Sequence, residues 1–117
     1  MAQQTVRYAL ALGLVDDPAL IAAYEIAHEK IWPAVRDHLR AQGVETMEIY
    51  RLGTRLFMLM EVNPAVYSAE AMAAASNSNP VIAQWEALMG SYQCPTPWAR
   101  DGEKWTPMQR IFDLSVQ

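Results

Sequence analysis

The order of elements predicted from the sequence is β-α-β-β-α-β, and that order predicts an α+β protein of the ferredoxin-like type: a four-stranded antiparallel sheet with helices on one face. Three observations carry the prediction. Residues 6–15, "VRYALALGLV", alternate as a half-buried strand does. Two stretches with apolar residues at helical spacing each open on a capping residue followed by proline. Two apolar runs flank Gly53–Thr54 as the arms of a hairpin.

In the first strand Val6, Tyr8, Leu10, Leu12 and Leu14 share one face, and Arg7, Ala9, Ala11 and Gly13 share the other. The period of two marks one face for burial, while the small residues opposite allow a close approach or line a pocket. "DDPAL" then starts a helix, with Asp17 as cap and Pro18 in the first turn, where no backbone N–H is needed. Leu20, Ala23, Tyr24, Ala27 and Ile31 recur at helical spacing. Pro33 lacks a donor and clashes with the preceding turn, so a kink or break is expected near 30–33. The helix resumes through Val35 and Leu39 and ends at Gly43, a suitable residue just past a helix terminus.

"VETMEIYRL" and "RLFMLMEV" form the hairpin, and a glycine opening a two-residue loop suits a type II′ turn. The second arm is nearly all apolar from Leu56 to Met60, the pattern of a central strand covered on both faces. Residues 63–80 read as a loop and a short helix around "AEAMAAAS". "NPVIAQWEALMGSY" follows as a stronger helix, capped by Asn79 with Pro80 at its first position, and Ile82, Trp85 and Met89 share one face. A loop with Pro95, Pro97 and Gly102 leads to a last strand, "WTPMQRIFDLSV". Helices on one face leave the other sheet face in need of cover. Two such sheets packed together make a dimeric α/β barrel, so a homodimer is expected.

At 117 residues the chain fits one domain, 1–117. A net charge of −4 with nine Lys and Arg in no basic run argues against nucleic acid as a partner and gives no reason for attraction to an anionic membrane. One cysteine, Cys94, suits a reducing compartment, and "QCPTP" places no His or Lys beside it to activate the thiol. No signal peptide is evident, and no apolar run approaches the ~20 residues that span a bilayer. The cytoplasm is the expected location.

The motifs that are missing narrow the chemistry. No glycine-rich phosphate loop, Rossmann fingerprint, nucleophile elbow or metal-ligand pair of Cys or His occurs, so neither a cofactor nor a metal is expected. What remains is "YEIAHEKIWP". Tyr24, His28 and Trp32 stand four residues apart, project together and stop at the Pro33 break. On spacing alone, a half-buried histidine satisfied by one hydrogen bond is the commoner outcome. His38, among charges in "RDHLR", reads as solvent-facing. The methionines read as core filler, and Glu61 as the partner of an arginine. Trp85 reads as core or as a platform for a sugar face, Glu86 as a solvated helix residue or a ligand for a hydroxyl, and Trp98 and Trp105 as lids or dimer contacts.

"YEIAHEKIWPAV", "EIYRLGTRLFMLMEV", "NPVIAQWEALM" and "MQRIFDL", in that order, resemble the L-rhamnose mutarotase family, which includes relatives acting on L-fucose. The resemblance runs from about Val6 to Leu114. Its most specific element is the His-x-x-Ile-Trp-Pro run with a tyrosine one turn before it. It implies a sugar mutarotase, an isomerase that swaps α and β pyranose anomers, with His28 as the catalytic proton donor and Tyr24 on the sugar. Where the rhamnose enzymes carry two adjacent tryptophans, this chain has Trp85 and then Glu86. Where they use a tyrosine early in the second strand, it has Met47. Met47, Trp85 and Glu86 are therefore expected to shape the substrate pocket. A pocket that exchanges an aromatic face and a phenol for a carboxylate suits a different hydroxyl pattern, and the "IYRLG-RLFMLMEV" wording is similar to that of the fucose-acting relatives. L-fucose is expected ahead of L-rhamnose. The reaction is proton transfer throughout, which an imidazole with an ordinary pKa of about 6.5 performs near neutrality.

Two rival readings share the fold. Dimeric α/β barrels also host cofactor-free monooxygenases and lactone isomerases, for which an aromatic substrate explains the Trp and Met residues, and a non-catalytic dimer that binds a small ligand is the third class.

Overall fold

The computed structural model describes residues 4–117; residues 1–3, which the single-domain reading includes, lie outside it. The elements run β1 (Val6–Leu14), α1 (Pro18–Glu29), α2 (Pro33–Ala41), β2 (Val44–Leu52), β3 (Arg55–Val62), α3 (Ala69–Ser78), α4 (Pro80–Gly90), β4 (Gln93–Cys94) and β5 (Thr106–Pro107), and a 3₁₀ turn at Leu114–Val116 closes the chain. The sheet is antiparallel in the order β2-β3-β1-β4, with β5 also on β1. The β-α-β-β-α-β order holds once each predicted helix is read as a pair of helices.

The first of these pairs is divided where proline demands it. The residue before a proline is pushed out of the α region, and Trp32 is extended at φ −59°, ψ 134°. Lys30 is extended as well, so α1 stops at Glu29 and leaves His28 in its last turn. At the other end the Asp17 carboxylate accepts from the backbone N–H groups of Ala19 (2.9 Å) and Leu20 (3.3 Å). In α4 the Asn79 side chain accepts from Val81 N–H in the same way. Gly43 follows α2 at φ 94°, a left-handed conformation that glycine adopts freely. At the hairpin only Gly53 has positive φ (58°), which agrees with the type II′ turn.

Two connected clusters fill the space between sheet and helices. One joins Leu12, Leu14 and Leu56 to Tyr24, Val35, Ile82, Trp85 and Met89. The other joins Val44, Met58, Met60 and Val62 to Met47, Tyr67 and Met72. Leu39, Ile49 and Trp105 touch both.

One expectation fails. The last strand is not continuous over 105–116: its place beside β1 is shared by two short pieces, β4 and β5, each pairing two residues. Pro95, Pro97 and Pro107 cannot donate to a ladder, so pairing is intermittent. β4 approaches β1 where Gly13 leaves room: a Cβ there would lie 2.6 Å from the Cys94 carbonyl oxygen. β3 lies between β2 and β1, the central place that its apolar run predicts, and the helices cover that run on one face. Leu56, Met58, Met60 and Val62 are buried beneath the helices, whereas Leu59 on the opposite face is 38% exposed.

Candidate active site

A cavity of about 150 Å³ opens between the helices and the sheet. A dry cavity on the order of 150 Å³ accepts a benzene-sized ring, so the space is on the scale of a single six-membered ring. Tyr24, His28, Met47, Trp85 and Glu86 all line it. The five residues come from α1, β2 and α4, and only the tertiary fold brings them together.

His28 occupies the wall formed by the last turn of α1. Its Nδ1 lies 2.8 Å from the backbone carbonyl oxygen of Tyr24. A carbonyl only accepts, so Nδ1 carries the proton and, in the neutral ring, Nε2 is left as the basic nitrogen. Tyr24 and Trp85 hold the ring from two sides, at centroid distances of 4.3 Å and 5.7 Å. Trp32 touches Trp85 edge-on at 5.1 Å. It braces the tryptophan that braces the histidine.

Tyr24 is 3% exposed, so the tyrosine of the Tyr-His-Trp stripe fills the core and lines the cavity at once. Gln93 Nε2 donates to its phenol oxygen at 3.4 Å. Burial, the main cause, raises the phenol's pKa above the usual tyrosine value; the Gln93 bond opposes the rise and the Glu86 charge adds to it. Tyr24 is therefore a neutral hydrogen-bonding group over any ordinary pH. Glu86 stands at the rim, its side chain about half exposed and paired with Lys104 Nζ at 3.4 Å. Met47, Met58 and Met72 supply apolar wall.

A neighbouring hollow of about 320 Å³ is also bounded by Tyr24 and His28, together with Glu25, Glu29 and Arg51, and Glu25 pairs with Arg51 there. Among the described residues, no three His, Cys, Asp or Glu side chains converge to hold a metal ion.

His38 departs from the sequence reading. It is half-buried rather than solvent-facing, its Nε2 lies 3.2 Å from Ser76 Oγ, and both residues line the cavity. The charges around it occupy other faces of α2, and a helix turns 100° per residue, so sequence neighbours do not share an environment. Gln93 and Trp105 also line the cavity. Gln93 carries no signal in the sequence, and Trp105 reads there only as a lid or dimer contact. The other tryptophan of that loop, Trp98, is 76% exposed, with the Arg55 guanidinium 5.9 Å from its ring centroid. Glu61 pairs with Arg7 at 3.2 Å, as expected.

Comparison with known proteins gives the family and the fold. A family model described as L-rhamnose mutarotase matches residues 7–114. An L-fucose mutarotase of Xanthomonas campestris pv. campestris is 44% identical over 111 residues, covering 93% of this chain and 88% of that one. A UPF0734 protein of Dictyostelium discoideum is 34% identical over 110 residues, covering 92% and 88%. Among solved structures, an L-rhamnose mutarotase from Formosa agariphila superposes with a TM-score of 0.67 at 20% identity, covering 93% of this chain and 98% of that one. The tetracenomycin F2 cyclase of Streptomyces glaucescens superposes at 0.56 and 19% identity, covering 92% and 95%. The two structural likenesses establish the fold, the ferredoxin-like unit of the dimeric α/β-barrel class. With its model spanning nearly the whole sequence, the chain belongs to the L-rhamnose mutarotase family, a family of sugar isomerases.

Proposed function

We propose that this protein interconverts the α and β pyranose anomers of a 6-deoxy-L-hexose, L-fucose ahead of L-rhamnose, by acid–base opening of the ring at His28. The observation that carries the reading is the His28 ring, set in the wall of a ring-sized cavity with Nδ1 committed to the Tyr24 carbonyl. That commitment leaves Nε2 as the working atom.

As imidazolium, His28 donates its Nε2 proton to the ring oxygen while the C1 hydroxyl passes its proton to water or to the Glu86 carboxylate, and the C1–O5 bond opens to the aldehyde. Rotation about C1–C2 and reclosure give the other anomer: Nε2 takes back the O5 proton, and the group that accepted the C1 proton returns it to the new C1 hydroxyl. A positioned acid–base group contributes about 10²–10⁴-fold, and fixing the sugar in place adds an entropic share. Tyr24, kept a phenol by its burial, orients the sugar through a hydrogen bond. Trp85 offers its ring to an apolar sugar face or the C6 methyl, and Met47 leaves apolar wall where a phenol would select a different hydroxyl. Glu86 at the rim takes a hydroxyl. The preference for L-fucose is supported by the 44% identity to the L-fucose mutarotase and by the exchanges at Met47 and Glu86.

We further assign the working form as a cytoplasmic homodimer. The sheet face away from the helices carries Ala9, Ala11, Tyr50, Phe57 and Leu59, and the C-terminal segment beyond β5 bears Ile111, Phe112, Leu114 and Val116 exposed. Phe112 and Met108 border the same surface hollow as Ala9 and Leu59. A second copy of the chain covers a face and a tail of this kind. Among the described residues no helix is long and apolar enough to cross a membrane.

Saturation-transfer NMR on equilibrated L-fucose and L-rhamnose tests the activity, because it reads anomer exchange directly. Wild-type protein is expected to accelerate exchange of both, L-fucose more. His28→Ala exchanging at the wild-type rate removes His28 from the mechanism. The apolar wall of the cavity also suits an aromatic substrate, as in a cofactor-free monooxygenase. Oxygen uptake with a quinol and no acceleration of anomer exchange would favour that reading instead.

A further inference from the structure

His38 and Ser76 form a second polar pole in the cavity, and nothing in the proposed ring opening uses them. Tyr24 and Trp85, which hold His28, belong to one core cluster; Met72, one turn before Ser76 on α3, packs on the other. The cavity extends from one cluster to the other. His38 thus stands on α2 against α3, whereas His28 stands on α1 against α4.

The hydrogen bonds settle the state of this pair. Ser76 Oγ donates its one proton to the Met72 carbonyl oxygen at 2.9 Å. Its contact with His38 Nε2 at 3.2 Å then leaves Oγ as the acceptor and Nε2 as the donor. Neutral His38 therefore keeps Nδ1 as a free acceptor, with its orientation held by Ser76 and, through it, by the backbone of α3. An oriented acceptor in an apolar wall of Leu39, Met47 and Met72 suits a ligand hydroxyl, because a bond made away from water discriminates strongly against a ligand lacking that group.

We propose that His38, positioned by Ser76, is a specificity-determining residue that accepts a hydrogen bond from a hydroxyl on the C3–C4 edge of the sugar. The inference rests on the mutarotase reading: with the C1–O5 bond at His28, the C3–C4 bond is the opposite edge of the pyranose. The galacto and manno configurations of L-fucose and L-rhamnose differ at C4 as well as C2, so a contact on this edge bears on the choice between them.

The test combines His38→Leu, His38→Gln and Ser76→Ala with L-fucose and its 3-deoxy and 4-deoxy analogues, reading KM and kcat by anomer-exchange NMR and sugar affinity by tryptophan fluorescence. His38→Leu is expected to raise KM for L-fucose about tenfold, the worth of one hydrogen bond, with kcat nearly unchanged. Ser76→Ala is expected to act in the same direction but less. For one of the two deoxy analogues, wild type and His38→Leu are expected to coincide, which a merely structural loss would not produce. A penalty that persists for both analogues, or KM unchanged in both His38 variants, overturns the proposal. His38→Gln, which keeps an acceptor, separates misfolding from loss of the contact by restoring part of the affinity. Should wild type bind L-fucose in a His38-dependent way without accelerating exchange, the mutarotase reading falls and the His38 contact stands. With neither binding nor exchange, both fall.

Discussion

At the scale of the residue, the site depends on which atoms are already occupied. The Tyr24 carbonyl takes His28 Nδ1–H, and Gln93 takes the Tyr24 phenol oxygen, so each side chain presents one remaining polar function. The direction of the Tyr24 shift carries a pH prediction. The folded protein holds the phenol neutral above the ordinary tyrosine pKa of about 10, whereas the unfolded chain ionises there. The unfolded state then binds fewer protons than the folded one, so stability is intact below pH about 10 and is lost as pH rises beyond it. Tyr24→Phe is expected to flatten that alkaline loss in urea titrations at pH 9 and 11. Glu86 carries a second prediction. If its carboxylate takes the C1 hydroxyl proton, Glu86→Gln lowers kcat for L-fucose by about 10²-fold; if it serves only as a hydrogen-bonding group, kcat holds and KM rises several-fold. Single-turnover exchange rates of wild type and Glu86→Gln distinguish these outcomes.

At the scale of the element, a proline and a glycine position the chemistry. Pro33 ends α1 early, so His28 lies in a final turn whose ring faces the cavity rather than in mid-helix. Gly43 lets the chain leave α2 and enter β2 at φ 94°, and a Cβ there would lie 2.9 Å from the Tyr67 backbone nitrogen. Gly43→Ala is expected to destabilise the protein by more than the ~1–2 kcal/mol of a left-handed non-glycine residue alone, since the clash adds to it. Thermal melts and urea midpoints read the loss. These devices were legible in the sequence because helix stops, caps and a two-residue turn are local chemistry: Asp17, Asn79, Gly43 and Gly53 act on backbone groups within a few positions. The split fourth strand was not legible. Whether 93–94 and 106–107 pair with β1 depends on an edge that residues 6–14 supply from far away in sequence.

At the scale of the whole molecule, one sheet face is covered by helices, and among the described residues no helix covers the other, which only the C-terminal segment borders. Leu52 is 75% exposed on the open side, and Ile111 in the C-terminal segment is 91% exposed. A solvated apolar face and tail of this extent is unfavourable at roughly 25 cal/mol per Å² of apolar surface, which favours pairing with a second copy. Light scattering is expected to give twice the 13.2 kDa of one chain. The melting temperature is expected to rise with protein concentration. A double substitution, Leu59→Asp with Phe112→Asp, is expected to yield monomer. A wild-type monomer at every concentration would remove the dimer from the proposal.

The amino-acid sequence by itself determined the β-α-β-β-α-β order, the break before Pro33, the hairpin at Gly53–Thr54 and the Tyr24–His28–Trp32 stripe, because periodicity, capping and steric restriction act over a few residues. The resemblance to the mutarotase family named His28, Tyr24, Met47, Trp85 and Glu86 as a set, and all five line one cavity. Only the tertiary structure decided that His38 turns inward to Ser76, that Gln93 reaches Tyr24, and that the fourth strand is divided. Those outcomes rest on which surfaces meet across long stretches of chain, and a contact between residues 38 and 76 or between 24 and 93 leaves no periodic trace in the sequence of either.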